Sequence, residues 1–230
     1  MTLDDEEDQG KPILFQNSDI RKMLKLANVN KNDVFFDLGC GWGQNLIIAL
    51  TEFNVKKGIG FEYNQERNKI AKRRLERLVK IGIKANRYDI RIEDFETDLL
   101  NEKIPGLKLS DATVVFYGLS TSKRLFNKMN HRFANGCRLI CYYDCLFPEI
   151  VPDKNKIDFP FYVHTFPFKK TSSEQEWLST IVMKKRSTLR KKKNPSISEL
   201  WDEIHHDYDI NYHKEDADDY KDRMKRLLKK

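Results

Sequence analysis

The sequence predicts an α/β protein with a mostly parallel, doubly wound sheet, an antiparallel hairpin at one sheet edge, and a charged helical extension at the C-terminus. Three observations carry this expectation. Short apolar runs alternate with helix-period segments from residue 17 to residue 143, the pattern of repeated βαβ units. The first run, Val34 to Leu38, enters a glycine-rich turn from which a helix opens at Gln44. Two strand-like runs, near 161–166 and 177–184, then follow with only a short connection, which suits an antiparallel edge.

Taken in order, residues 4–8 are five consecutive acids, so 1–12 is expected to be a disordered acidic tail. Asn17 or Ser18 can cap a helix whose Ile20, Met23, Leu24 and Ala27 share one face. A turn over 28–33 leads into strand one at 34–38, and the next helix carries Leu46, Ile47, Ala49, Leu50 and Phe53. Strand two is 57–62. Residues 64–80 form a strongly basic helix with an apolar stripe of Ile70, Ala71, Leu75 and Leu78. Strand three is expected near 84–89 and strand four over 113–117, with Pro105-Gly106 in the connection between them. A helix over 121–134 presents Leu125, Phe126, Met129 and Phe133, and Asn135-Gly136 closes it as a C-cap. Strand five is 137–143. Proline and charge mark 146–160 as a loop.

Beyond 184 the chain changes character. Pro195 to Trp201 reads as a capped helix start, and 214–229 as a charged helix with a thin stripe of Tyr220, Met224, Leu227 and Leu228. That is too little apolar surface for an independent domain. The expected organisation is therefore a tail over 1–12, one domain over 13–184 and a basic linker with a helical extension over 185–230.

The chain has 230 residues, a third of them charged, and a formal net charge of +7. The longest aliphatic run, Leu46 to Leu50, is far too short to span a bilayer. No secretory signal is read at the acidic N-terminus, so a cytoplasmic protein is expected, or a nuclear one in a eukaryotic source, with no membrane partner. Cys137, Cys141 and Cys145 recur every four residues. Even spacing on a strand spreads them along one sheet face, over too long a span for one ion, so buried free thiols are expected and no metal. Lys184 to Lys193 carries seven basic residues and no acid, a segment suited to nucleic acid or an acidic partner.

The chemistry is concentrated in Val34–Gln44. Gly39, Gly41 and Gly43 follow Asp37 in a G-x-G-x-G turn. In the dinucleotide fingerprint G-x-G-x-x-G, glycines let the backbone approach a ligand at a helix N-terminus. Here the third glycine comes one residue early and an acid precedes the first. An acid about 20 residues after such a turn meets ribose hydroxyls, and Glu62, ending the run Gly58 to Glu62, fills that role with no adjoining basic residue for a 2′-phosphate. Asp94-Phe95, past strand three, offers an acceptor for an adenine amino group and a ring for its face. Asp37 can orient the turn or accept from an amino group, and Gln16, Asn17 and Ser18 are candidates to approach the same end of the ligand.

This constellation resembles the cofactor site of class I, seven-strand S-adenosylmethionine (SAM) methyltransferases, whose Rossmann-like sheet carries the same antiparallel edge. The resemblance covers residues 17–184 and implies SAM as cofactor, held by Asp37, Gly39, Gly41, Gly43, Gln44, Glu62, Asp94 and Phe95. Asp-Leu-Gly-x-Gly-x-Gly-Gln at 37–44, Glu62, Asp94-Phe95 and Arg132-Phe133-Ala134-Asn135-Gly136 further resemble the disruptor-of-telomeric-silencing histone lysine methyltransferases. The compact length and Asp111 to Tyr117 are similar to small archaeal protein-lysine methyltransferases. Where the histone enzymes carry Asn-Asn-Phe, this chain has Tyr117-Gly118-Leu119. The Asn/Asp-Pro-Pro-Tyr/Phe signature of amino-group methylation on bases and glutamine is absent there.

The resemblance implies transfer of a methyl group to a protein lysine. Tyr117, Tyr142 and Tyr143 stand at the ends of strands four and five, where substrate must pass, and are the candidate catalytic residues. Each has the alternative of lying in the core, since neighbouring strand residues face opposite ways. Two other functions stay open: a nucleic-acid methyltransferase, suggested by a pI of 9.1 and the basic helix, and a non-catalytic assembly module working through 184–230.

Overall fold

The computed structural model describes residues 15–92, 106–118, 128–142, 150, 152–153, 156–158 and 160–169. Its helices are α1 (Asn17–Leu26), α2 (Gln44–Thr51) and α3 (Gln65–Glu76), the last continued by a 3-10 turn over Arg77–Ile81. Its strands are β1 (Val34–Leu38), β2 (Lys57–Phe61), β3 (Tyr88–Arg91), β4 (Val114–Tyr117), β5 (Arg138–Tyr142), β6 (Ile157–Asp158) and β7 (Phe161–Thr165).

The strands form one sheet in the order β3-β2-β1-β4-β5-β7-β6. The first five are parallel, while β7 runs antiparallel to β5 and pairs with β6. Strand order reverses between β1 and β4, so the ligand crevice of such a sheet lies at the carboxyl ends of these two strands.

The central strands β1, β4 and β5 feed two cores. Phe36, Leu38, Ile59, Phe61, Val115, Tyr117, Leu139 and Cys141 face one way. Phe35, Val114, Phe116, Ile140, Phe161 and Val163 face the other way, towards α1, α2 and α3. Period-2 alternation within nearly continuous apolar runs is what a sheet covered on both faces requires. Gly58 and Gly60 set how closely α2 approaches. A Cβ on Gly60 would lie 2.7 Å from Cys40 Sγ, Ile90 and Leu46.

The opposite, amino-terminal edge is fastened by a polar knot around the buried Asp33. Asp33 accepts from Thr113 Oγ1 (2.7 Å), from the Asn30 amide (2.8 Å) and from Arg138. Arg138 also donates to the Asn28 carbonyl at the end of α1 (2.9 Å).

Four expectations are corrected in detail. Neither Asn17 nor Ser18 caps α1: both lie inside it, and the capping position is Gln16, whose side chain makes no cap bond. Ile70 is exposed, and the buried stripe of α3 is Asn68, Ala71 and Leu75. Strand three begins at Tyr88, because Ala85–Arg87 is a 3-10 turn that Arg87 anchors to Asn54 (2.9 Å). The expected loop 146–160 contains a strand, β6, which pairs antiparallel with β7 across a connection that holds Pro160. The run at 177–184 lies outside the described residues, as do 1–14, 121–127 of the expected helix, and 185–230. Cys137 and Cys141 are both buried in one core, as free thiols.

Candidate functional site

The glycine-rich turn sits at the carboxyl end of β1. Gly39, Gly41 and Gly43 have φ of 79°, 52° and 74°. This left-handed conformation is open to glycine at no steric cost. Gly43 carries a second constraint, since a Cβ there would stand 3.4 Å from Ala71 of α3. The amides of Gly39 and Cys40 both donate to the Phe61 carbonyl at 2.9 Å, which ties the turn to β2.

Glu62 follows β2 directly and is buried. Its Oε2 accepts from the Gly41 amide (2.8 Å) and its Oε1 from the Asn64 amide (2.9 Å). Two backbone donors fix the plane of the carboxylate, and each oxygen keeps further lone-pair capacity. Asn68 holds this end of the sheet: its amide donates to the Arg91 carbonyl (2.9 Å) and the Glu62 carbonyl (3.3 Å).

Asp37 is fully buried near the end of β1. Asn45 of α2 donates to its Oδ1 at 3.3 Å, and Oδ2 has no hydrogen-bond partner among the described residues. Desolvation pushes its pKa up to about 7; the Asn45 hydrogen bond opposes the rise and the Glu62 charge adds to it. A buried carboxylate oxygen without a donor is costly. A cationic amino group delivered to this position would satisfy it, and the glycine turn and the fixed Glu62 suit the rest of an adenosyl amino acid. By these criteria the residues fit SAM.

Gln44 is engaged within the protein. Its amide donates to Asn17 Oδ1 of α1 at 2.8 Å, and its carbonyl accepts from Arg74 of α3. Arg74 also donates to the Trp42 carbonyl (2.9 Å).

Tyr117 and Tyr142 end neighbouring strands but enter different cores. Tyr117 is 2% exposed, packed with Phe36, Leu38 and Phe61, whereas Tyr142 packs with Phe15, Phe116 and Phe161 on the other face. Phe15 meets Tyr142 edge-on with centroids 4.7 Å apart. The structure therefore gathers Asp37, the three glycines, Gln44 and Glu62 into one site and separates these two tyrosine rings across the sheet. Asp94, Phe95 and Tyr143 lie outside the described residues. Asn45, Asn68, Arg74 and Phe15 escape sequence reasoning. Asn68 carries a signal, as a polar residue in register with Ala71 and Leu75. Arg74 carries none among so many cations.

The family model "Histone methylation protein DOT1" matches residues 15–166. A protein-lysine N-methyltransferase of Saccharolobus islandicus (strain REY15A) is 34% identical over 125 residues, which cover 54% of this chain and 70% of that protein. The H3 lysine-79-specific histone-lysine N-methyltransferase of Caenorhabditis elegans is 25% identical over 166 residues, 67% of this chain but 17% of that enzyme. Among solved structures, an RNA methyltransferase from Salinibacter ruber in complex with S-adenosyl-L-homocysteine superposes with a TM-score of 0.57. At 23% identity, over 70% of this chain and 98% of that one, this is a likeness of fold.

Proposed function

The chain belongs to the DOT1 histone methylation family and is a SAM-dependent methyltransferase, and from that premise we propose that its acceptor is the side-chain amine of a protein lysine. The observation that carries the reading is the acid pair Asp37 and Glu62 flanking a left-handed glycine turn, in a chain 34% identical to a protein-lysine methyltransferase.

In this reading Glu62 accepts from the ribose hydroxyls and Asp37 from the cofactor's amino group. Asp94 and Phe95 take the adenine edge and face. SAM supplies a methyl group on a sulfonium, an electrophile that needs no activation by the protein. The remaining task is the nucleophile. A free lysine has a pKa of about 10.4 and attacks only when neutral. An aromatic wall at the strand ends lowers that pKa by desolvation and tolerates the methylated cation through a ring face; Tyr142, half-buried at the end of β5, and Tyr143 are the candidates, since Tyr117 lies in the opposite core. Positioning supplies the rest.

A polyanion is the proposed second contact. Lys184 to Lys193 offers seven basic residues, and Lys72, Arg73, Arg77 and Lys80 are exposed along α3 and its 3-10 continuation. The same charge favours the second reading, a nucleic acid as methyl acceptor. Incubation with methyl-labelled SAM and a cell extract separates the two. Label removed by protease and resistant to nuclease supports lysine transfer; label removed only by nuclease overturns it.

A further inference from the structure

We propose that Arg74 is a positioning residue for the cofactor turn, acting through a three-element clamp of Arg74, Gln44 and Asn17. The proposal rests on the SAM reading above and adds how the turn keeps its shape.

The glycine turn is closed by one internal bond, from the Gly43 amide to the Cys40 carbonyl (2.8 Å), and Glu62 accepts from its Gly41 amide (2.8 Å). Three left-handed glycines in five residues carry no side chain, and glycine is the residue with most conformational freedom to lose. Its β-sheet side is fixed by the bonds from Gly39 and Cys40 to Phe61. Its outer side, Trp42 to Gln44, pairs with no strand among the described residues. Arg74 reaches this side from the last turn of α3. One terminal nitrogen donates to the Trp42 carbonyl at 2.9 Å, and the other donates to the Gln44 side-chain carbonyl. Gln44 then passes the contact on, its amide donating to Asn17 Oδ1 at 2.8 Å.

The geometry explains why arginine occupies the position. Two acceptors must be met from one rigid group, and only a guanidinium presents separate donors in a fixed fork. Arg74 is half-buried here, unlike its exposed neighbours Lys72 and Arg73. Burial and the nearby Arg77 both lower its pKa, so its placement costs free energy that two hydrogen bonds offset. Asn17 stands two residues after Phe15, whose ring packs on Tyr142 at the end of β5. The clamp thus joins the cofactor turn to the chain segment that packs against the acceptor side.

Calorimetric titration of the full chain with SAM tests this, alongside thermal melts of the ligand-free variants. Arg74→Met is expected to weaken SAM binding about tenfold, the size of one charge-assisted hydrogen bond. Arg74→Lys, which can meet one acceptor at a time, is expected to recover part of the loss. Asn17→Ala is expected to weaken binding less, and the double variant to bind as Arg74→Met does, because both substitutions break one clamp. Methylation assays should show a raised KM for SAM with kcat at saturation changed less than twofold. SAM affinity of Arg74→Met within twofold of the parent overturns the proposal, and so do strictly multiplicative losses in the double variant. If Arg74→Met fails to fold, Gln44→Leu removes both side-chain links and carries the same two outcomes. A parent protein that takes up no SAM overturns the cofactor reading itself, a result distinct from an unaltered affinity.

Discussion

At the scale of single residues, the site's most informative atom is Oδ2 of Asp37, buried without a partner among the described residues. With a folded pKa of about 7 against an ordinary 3.8, the folded chain holds a proton that the unfolded chain releases. The sign follows. This group's contribution to stability is greatest below the unfolded pKa, declines as pH rises, and levels off above about 7. The whole shift corresponds to about 4 kcal/mol, of which about 2 kcal/mol falls between pH 5.5 and 8. Asp37→Asn is therefore expected to gain stability relative to the parent by that amount across the interval, read from urea melts of the ligand-free proteins. The same proton links to binding. An amino group placed at Oδ2 favours the carboxylate, so on SAM uptake the Asp37 carboxyl should release about three quarters of a proton at pH 6.5 and about a tenth at pH 8. Calorimetry in buffers of differing ionisation enthalpy measures this, and Asp37→Asn should abolish it. Glu62→Gln tests the other acid. It keeps the size of the group but turns an acceptor oxygen into a donor beside the Gly41 or Asn64 amide, and SAM affinity should fall between ten- and a hundredfold, roughly 1.5–3 kcal/mol.

At the scale of elements, what is local in the chain is legible in its sequence and what is contributed from a distance is not. Strand one, the turn and the start of α2 follow from residues 34–44 alone, because apolar alternation and glycine spacing act within a few residues. Apolar spacing alone puts Ile70 in the stripe of α3. The structure turns Asn68 inwards instead, since its amide can satisfy the carbonyls ending β2 and β3, a need created only when those strands pair. A strand inside the expected loop 146–160 escapes the sequence for a related reason: two residues, Ile157 and Asp158, suffice for β6 because β7 supplies their partners. The polar knot at the amino edge is equally invisible in sequence, as Asp33, Thr113 and Arg138 come from three distant segments. Its consequence is measurable. Arg138→Met strands the Asp33 carboxylate, 6% exposed, and should lower the unfolding free energy by about 3 kcal/mol. This edge lies opposite the site, so the SAM dissociation constant of the folded fraction should stay within twofold. A comparable loss of affinity would mean that the two sheet ends are coupled.

At the scale of the whole molecule, charge separates the roles of the surfaces. The crevice proposed for the cofactor is flanked by the buried acids Asp37 and Glu62, whereas Lys72, Arg73, Arg77, Lys80 and Lys84 are exposed with no salt bridge to a described acid. Arg73, Arg77 and Lys80 are spaced three or four residues apart, which places them along one side of a helical turn. Such a row repels itself unless a polyanion lies across it. If the row meets phosphates, every cation removed from it should reduce the slope of log affinity against log salt by about 0.9 on duplex DNA. Replacing Lys72, Arg73, Arg77 and Lys80 with glutamine should then flatten the slope measured by fluorescence anisotropy with a random-sequence duplex. None of the four side chains bonds to the glycine turn, and the nearest of them electrostatically, Arg77, repels Arg74, so SAM affinity should not fall. A parent slope near zero, or one unchanged by the four substitutions, would leave α3 as a solvated face and assign any nucleic-acid contact to Lys184–Lys193 alone.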